Sequence, residues 1–333
     1  MGAGLTLEAL SGWLCGFQAV FRGHGHARVY VGGSGARALL DGRVAGLRDV
    51  DLFIDGEAAR SDDARAELGR MVAVLGATEV VRAGAARLRD KRRADPGLAP
   101  PGRDMHVIGC GTHVFPRTAP LPIVSLTVLR RGRDLELGGI FDIDAVYVVL
   151  DTHRPLLAQL DAPGVIDGFA GMAAWRARRP RVVHWEEVAR CHARHGLRIA
   201  RTLAGCGRGL DAGTTAAYRA LRPGRAVDEP DEVFRDLVKV LAGPRWGAGL
   251  GLARELGGFV DEPGFAWLAE ALGRWDGDCV EGEEAGGVAE VLARARRWLA
   301  GLGDAADEPL ERLARAVPSV FPFVEGAGGA EIS

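Results

Sequence analysis

The apolar positions change period several times along the chain, and each change marks an element. Leu7, Leu10, Leu14, Phe17 and Phe21 recur at three- and four-residue steps, which predicts a helix over 5–21 with one apolar face. Gly23 and Gly25 end it. Arg28 to Val31 is a β-branched and aromatic run and predicts a strand. Gly32-Gly33-Ser34-Gly35 then breaks the chain, Ala36 to Leu40 predicts one or two helical turns, and the stretch from Asp49 through Ile54 predicts a second strand. Further strands are expected at 78–83, at 123–129, and over 135–150 as a long returning strand bent at Gly138-Gly139, with a helix over 60–75. After residue 225 only helical periods remain, at 231–241, 249–256, 265–272, 288–299 and 310–317, with Pro230, Pro244 and Pro263 near their starts. Strands in front and helices behind predict an α+β chain in segments. The expected segments are a head over 1–155, a helical neck over 156–225, a helical body over 226–325, and a disordered tail over 326–333.

Composition narrows this picture. At 333 residues with 47% apolar content, the chain is long enough for two or three cored domains. No apolar run approaches the ~20 residues of a membrane span, and no basic leader precedes Glu8. Five scattered cysteines without a C-x-x-C pattern read as reduced thiols, so a cytoplasmic protein is expected. Charge is divided along the chain. Residues 226–333 hold 10 basic and 21 acidic side chains, and the rest holds 32 basic and 23 acidic. A basic front suits a polyanionic ligand, whereas the acidic back does not suit an RNA backbone. The basic, Pro/Gly-rich stretch 87–103 reads as a charged loop, either solvated or touching a triphosphate or RNA.

Candidate chemistry gathers between residues 28 and 55. Asp49 and Asp51 are two apart on a strand, so their carboxylates point to the same side. Like charges that close repel unless a cation lies between them, and a hard ion such as Mg²⁺ suits oxygen ligands. The glycine turn offers backbone amides to a phosphate. A phosphate cradle a short helix away from a divalent-metal pair is what nucleotidyl transfer needs.

These residues carry a resemblance. Gly32, Gly33, Arg37, Leu39, Leu40, Gly42 and Arg43, followed by Asp49 and Asp51, resemble the G-G-x-V-R-D-x-L-L-G-R…D-h-D pattern of tRNA CCA-adding enzymes and bacterial poly(A) polymerases. Both belong to the polymerase-β-like nucleotidyltransferases. One extra residue separates Gly33 from Arg37, and Gly33-Ser34-Gly35-Ala36-Arg37 also resembles the G-S-x-A-R signature of smaller members of that superfamily. The resemblance implies a small mixed sheet with helices on one face. It implies two Mg²⁺ ions on Asp49 and Asp51, with Gly32, Gly33, Ser34 and Arg37 at the phosphates.

Further motifs follow in the family's order. The R-R-D-F-T-x-N-A stretch reads Gly138-Gly139-Ile140-Phe141-Asp142-Ile143-Asp144-Ala145, so the triphosphate- and ribose-contacting side chains differ and two acids are gained. Asp142 is the favoured third metal ligand and Asp144 the alternative. Ile166-Asp167-Gly168-Phe169-Ala170-Gly171-Met172 is similar to I-D-P-F-G-G-L, and Leu210-Asp211-Ala212-Gly213-Thr214 to L-D-P-E-T. Trp185-Glu186-Glu187-Val188-Ala189-Arg190 is similar to F-E-D-x-x-R, which implies that Glu187 and Arg190 read the incoming base. An acceptor carboxylate beside a donor fork fits the amino group and ring acceptors shared by adenine and cytosine, so ATP or CTP is the expected nucleotide. Cys191 and His195 are four apart, but no further ligand is in view and zinc is not expected. With no His-Asp dipeptide, a fused HD-type phosphohydrolase is excluded.

The implied function is addition of AMP or CMP from an NTP to an RNA 3′ hydroxyl, with the tRNA 3′ end as the implied acceptor. Two alternatives stay open: a related enzyme that nucleotidylates a small molecule or protein, and an inactive head that binds nucleotide or RNA.

Overall fold

A computed structural model describes residues 5–45, 47, 49–55, 79–81, 111–115, 121–129, 139–221, 230–257, 265–275, 285–317 and 320. The chain divides into two compact units, Met1–Arg176 and Ala177–Ser333. The helix expected over 60–75, the loop over 87–103 and the tail lie outside the described residues.

The first unit is α+β. Helix α1 (Leu7–Gly23) starts where the Thr6 hydroxyl accepts the Ala9 amide at 3.2 Å, an N-cap. Strand β1 (Arg28–Gly32) runs directly into α2 (Gly33–Asp41), and β2 (Asp49–Asp55) returns antiparallel to β1. Strands β3 (Glu79–Val81), β4 (Gly111–Phe115), β5 (Ile123–Leu129), β6 (Tyr147–Asp151) and β7 (Gly164–Ile166) complete a mixed sheet of order β3-β4-β5-β2-β1-β6-β7. Among the described strands, only β2 and β5 pair in parallel. Two short helices, α3 (Leu156–Leu160) and α4 (Gly171–Arg176), close the unit.

Alternation along the strands sorts the side chains by face. Val29, Val31, Val50, Leu52, Ile54, Val124, Leu126, Val148 and Leu150 are buried in one core with Leu10, Leu14, Phe17 and Phe21 of α1. Ala36 and Leu39 of α2 join that core. The other face carries a smaller cluster, Tyr30 and Tyr147 with Phe53, Val149 and Ile166 against them. The main core thus lies on one sheet face, the helical side that the sequence predicts. Buried Gln18 ties α1 to the end of β6 by donating to the carbonyl of Asp151 at 3.2 Å.

Two local expectations change. The glycine run is not a separate turn: Gly33, at φ +56°, already begins α2. Of the long strand expected over 135–150, only 147–150 is strand among the described residues. Asp142–Asp144 is a 3-10 turn, and β6 starts only at Tyr147. The sheet also extends past residue 155, because β7 pairs with β6, so 156–176 falls in the first unit rather than with the neck.

The second unit is helical among its described residues, apart from an isolated bridge residue at Val182. Its helices are α5 (Trp185–Arg190), α6 (His192–Gly205), α7 (Ala212–Ala220), α8 (Pro230–Ala242), α9 (Trp246–Leu256), α10 (Ala266–Arg274), α11 (Val288–Leu299) and α12 (Asp307–Ala316). The Phe234 and Trp267 rings stack at 5.3 Å in its interior. Along α8, buried Glu232 and Asp236 face arginines: Arg194 Nε donates to Asp236 at 2.9 Å, and Arg235 pairs with Glu232 at 2.8 Å. These buried acids account for part of the acidic count behind residue 226.

Candidate active site

Pairing across the sheet sets the site's geometry. Asp51 on β2 stands opposite Gly32 on β1 and in register with Ser125 on β5, and Gly32 in turn stands opposite Tyr147 on β6. Tyr147, Gly32, Asp51 and Ser125 therefore form one row across four strands. Asp49 lies two residues earlier on β2, on the same face, and is exposed, whereas Asp51 is half-buried. The aligned β5 position carries a hydroxyl, Ser125, and no third carboxylate.

Gly32 is glycine because a Cβ there would lie 2.6 Å from the Phe53 ring and 2.9 Å from the Tyr147 ring. Gly33 is glycine because of its left-handed φ, and its amide donates to the Val146 carbonyl at 3.1 Å. A Cβ built on Gly33 would be 3.8 Å from Asp51 Oδ2. The first turn of α2, with Ser34 in it, thus starts beside the carboxylate pair. Amides of a helix's first turn lack intrahelical acceptors and attract anions.

The 3-10 turn gives the two later acids different surroundings. Asp142 is fully buried, and its Oδ1 accepts the Ile143 amide at 2.8 Å. Its carboxylate thus serves the turn's own backbone, as a short acid can in a tight turn. Asp144 is partly open and lies 3.8 Å from Arg37 Nη1. Burial, and then the charges of Asp144 and Asp51, push the Tyr147 phenol well above its ordinary pKa. Asp144 and Asp51 therefore share Tyr147 as a neighbour.

Arg37, expected at the phosphates, has structural partners. Its Nη1 donates to the Ile143 carbonyl, and its guanidinium lies 4.8 Å from the centre of the Trp175 ring. Trp175 Nε1 and Arg176 Nε donate to the Asp41 carboxylate at 3.0 and 3.1 Å. Helix α2 is thus bound at its middle to the acid-bearing turn through Arg37, and at its C-terminal end to α4 through Asp41. Helix α4 is set by the I-D-G-F-A-G-M stretch. The Asp167 carboxylate accepts the amides of Gly171 and Met172 at 2.5 and 3.0 Å, and Gly171 packs on the backbone of Asp142 so closely that any Cβ would overlap it.

Glu187 and Arg190 lie in the second unit, both in α5 and three positions apart. The Arg190 side chain lies outside the described residues. Helix α5 is held by His195 of α6, whose Nδ1 donates to the Glu187 carbonyl at 2.8 Å. Burial, and then the charges of Arg194 and Arg198, lower the His195 pKa to about 4. His192 stacks on Tyr218 at 4.1 Å, and the Tyr218 hydroxyl donates to the His192 carbonyl at 2.9 Å. In Leu210-Asp211-Ala212-Gly213-Thr214, Asp211 caps α7 by accepting the Thr214 amide at 2.8 Å and hydroxyl at 2.7 Å. The backbone hydrogen bond from Thr214 comes first among the causes that lower the Asp211 pKa.

Solved structures resemble most of the chain at low identity. A CCA-adding enzyme with CTP superposes at a TM-score of 0.54 and 17% identity, over 94% of this chain and 71% of that one. The Bacillus stearothermophilus CCA-adding enzyme in complex with CTP gives 0.55 and 20%, over 91% of this chain, which spans 65% of that one. A tRNA nucleotidyltransferase complexed with a primer tRNA and an incoming ATP analog gives 0.54 and 14%, over 93% and 84%. The chain has the CCA-adding enzyme fold. No protein-family profile matches the sequence, and neither does any curated relative.

Within that fold, reading the sequence missed Tyr147, Ser125, Trp175 and Asp41. Tyr147 and Ser125 become neighbours of Asp51 only through strand register. Among the described residues, no group of three or more His, Cys, Asp or Glu side chains gathers as a metal cluster. Two same-face carboxylates, one of them exposed, still fit a cation that keeps waters and takes substrate phosphates as its other ligands, which is the habit of Mg²⁺. No helix among the described residues is long and apolar enough to cross a membrane.

Proposed function

We propose that this protein transfers a nucleoside monophosphate from ATP or CTP to the 3′ hydroxyl of an RNA and releases pyrophosphate. The observation that carries this is the Asp49–Asp51 pair on one face of β2, beside the left-handed Gly33 that opens α2, in a chain with the CCA-adding fold. Asp49 and Asp51 would hold two Mg²⁺ ions, with Asp144 the third carboxylate. Bound there, Mg²⁺ supplies charge stabilisation for the triphosphate and lowers the pKa of the attacking hydroxyl.

The chain's own groups do the rest. The amides at the start of α2, including that of Ser34, receive phosphate oxygens. Arg37 fixes the turn that presents Asp144. Tyr147, with its phenol kept protonated, places a neutral donor among the acids. The RNA 3′ oxygen attacks the α-phosphorus, the bond to the bridging oxygen breaks, and pyrophosphate leaves. Glu187 and Arg190 read the base, so Glu187→Gln should loosen the preference for ATP and CTP, because an amide can turn to offer a donor or an acceptor. Unchanged nucleotide discrimination in that variant would remove Glu187 from base reading.

The deciding experiment incubates the protein with Mg²⁺ and each labelled NTP, with and without tRNA lacking its 3′ end. Label in the RNA supports the proposal. Label in the protein or in a small molecule would move the acceptor to another class, and no label in any fraction would leave a binding module.

A further inference from the structure

Among the described residues, three large apolar side chains are exposed, Leu157, Val165 and Trp175, and Trp175 is the aromatic one. Its indole is held from two sides. Nε1 donates to the Asp41 carboxylate at 3.0 Å, and the Arg37 guanidinium lies over the ring, 4.8 Å from its centre. Trp175 is still 37% exposed, so the open surface is the rest of the ring, including the face turned away from Arg37. Helix α4, which carries Trp175, is itself fixed. The Asp167 carboxylate caps its first turn, and Gly171, four residues before Trp175, packs on the Asp142 backbone. Arg37 meanwhile donates to the Ile143 carbonyl and lies 3.8 Å from Asp144. A single guanidinium therefore separates the indole from the acid-bearing turn. An aromatic ring pinned in this way and left open is a preorganised flat surface, because its rotamer freedom is lost before any ligand arrives.

We infer that Trp175 is a stacking platform for the 3′-terminal base of the acceptor RNA, the base on the same ribose as the attacking hydroxyl. The inference rests on the function proposed above and adds a residue that positions the acceptor rather than the incoming nucleotide. Position selects this occupant. The attacking 3′ oxygen has to reach the carboxylates proposed to hold the metal, and the base on its ribose then lies within a side chain's reach of them, as the indole does of Asp144. Chemistry agrees. The indole's partners and neighbours are charged: Arg37, Asp41, and Arg176, which is itself bound to Asp41 at 3.1 Å. Such surroundings suit a flat base with a phosphate attached and not an apolar protein face. Arg176 is exposed, and the chain stays basic through Arg178, Arg179 and Arg181. A base–aromatic stack tolerates any base, since every base has a π-face. Trp175 therefore senses that a terminal base is present and not which base it is, a different task from the base-edge reading proposed for Glu187 and Arg190.

An abasic acceptor provides the test. Incorporation by the full chain is measured with Mg²⁺ and ATP or CTP on two tRNAs lacking the 3′ end, one intact and one whose terminal nucleotide keeps its ribose and has no base. The ratio of the two kcat/KM values is the penalty for losing the base. In the wild type that penalty should be about tenfold, the usual effect of one stacked base. Trp175→Leu keeps apolar bulk without a flat face and should nearly abolish the penalty, by raising KM for the intact RNA. Trp175→Phe should restore most of it, because stacking needs the ring and not Nε1. A general disturbance of Arg37 or Asp41 slows both acceptors alike and cancels in the ratio, and melting curves show whether each variant is folded. A penalty of wild-type size that persists in folded Trp175→Leu overturns the inference, because the terminal base then rests elsewhere. A wild type that shows no penalty overturns it without any variant. So does a Trp175→Leu variant that keeps the penalty while its KM for ATP or CTP rises, which assigns the indole to the incoming nucleotide. Those three outcomes leave the RNA acceptor standing, whereas a wild type that extends neither RNA overturns both the acceptor and this inference.

Discussion

His195 gives the second unit a calculable acid sensitivity. Its ring is 8% exposed, and its Nδ1 holds the Glu187 carbonyl. Burial and the neighbouring Arg194 and Arg198 lower its pKa from 6.5 to about 4, against a smaller opposing pull from that carbonyl and from Asp236. The folded value lies below the unfolded one, so between pH 6.5 and 4 the unfolded chain binds more protons. Stability therefore rises with pH across that window. The contribution is complete above pH 6.5 and is lost as pH falls towards 4. A shift of that size at about 1.4 kcal/mol per unit corresponds to about 3 kcal/mol, most of it gone by pH 4.5. The variant to compare is His195→Asn, whose amide still donates to a carbonyl but does not titrate. Its smaller side chain adds a cost that is constant with pH. Urea unfolding followed by tryptophan emission at pH 7.5, 6.5, 5.5 and 4.5 should show the wild type's advantage over the variant shrinking by about 2–3 kcal/mol towards the acid end. An advantage that stayed flat across the series would mean that His195 is not held neutral by burial. Because His195 braces α5, discrimination between nucleotides should weaken over the same range if Glu187 reads the base.

Three further outcomes are expected. Asp49→Ala or Asp51→Ala should lower NMP incorporation at least ~10³-fold, while the melting temperature of the metal-free protein holds or rises as repulsion is relieved; near-full activity of both would move the site elsewhere. Asp144→Asn should cost more activity than Asp142→Asn, whereas Asp142→Ala, which strands the buried Ile143 amide, should cost about 1–3 kcal/mol of stability; incorporation rates and chemical unfolding of the variants separate the two. Gly171→Ala should destabilise the first unit by about 2–3 kcal/mol, because its Cβ would overlap the Asp142 backbone and push on Val146, and activity should fall with it because the displaced turn carries Asp144; a wild-type melting curve would contradict this.

Local order around the site is written in neighbouring residues. The strand, glycine break, short helix and second strand between residues 28 and 55 follow from apolar period and turn chemistry, and alternation alone puts Asp49 and Asp51 on one face. The periods of α1 and of the helices behind residue 225 were legible for the same reason: each depends on residues within a few turns of one another. Two motifs matched as sequence have a local physical role, with Asp211 capping α7 and Asp167 capping α4.

Whatever depends on distant partners was settled only by folding. The stretch Phe141 to Ala145 alternates like a strand, yet it folds as a 3-10 turn. Gly139 takes φ +76°, Asp142 caps its own neighbour's amide, and Gly171, far along the chain, packs against the turn. No local pattern contains that last contact. The proposal of Asp144 over Asp142 rests on it, since the buried acid serves the turn and the other lies near Asp51's neighbour. Ser125 stands beside Asp51 only through the parallel register of β2 with β5, across a connection whose length leaves register unspecified. Charge counted along the chain reads the back half as acidic throughout, whereas folding buries Glu232 and Asp236 against arginines. Net charge is a property of the sequence, but the field a ligand meets depends on which charges are paired inside and which face out.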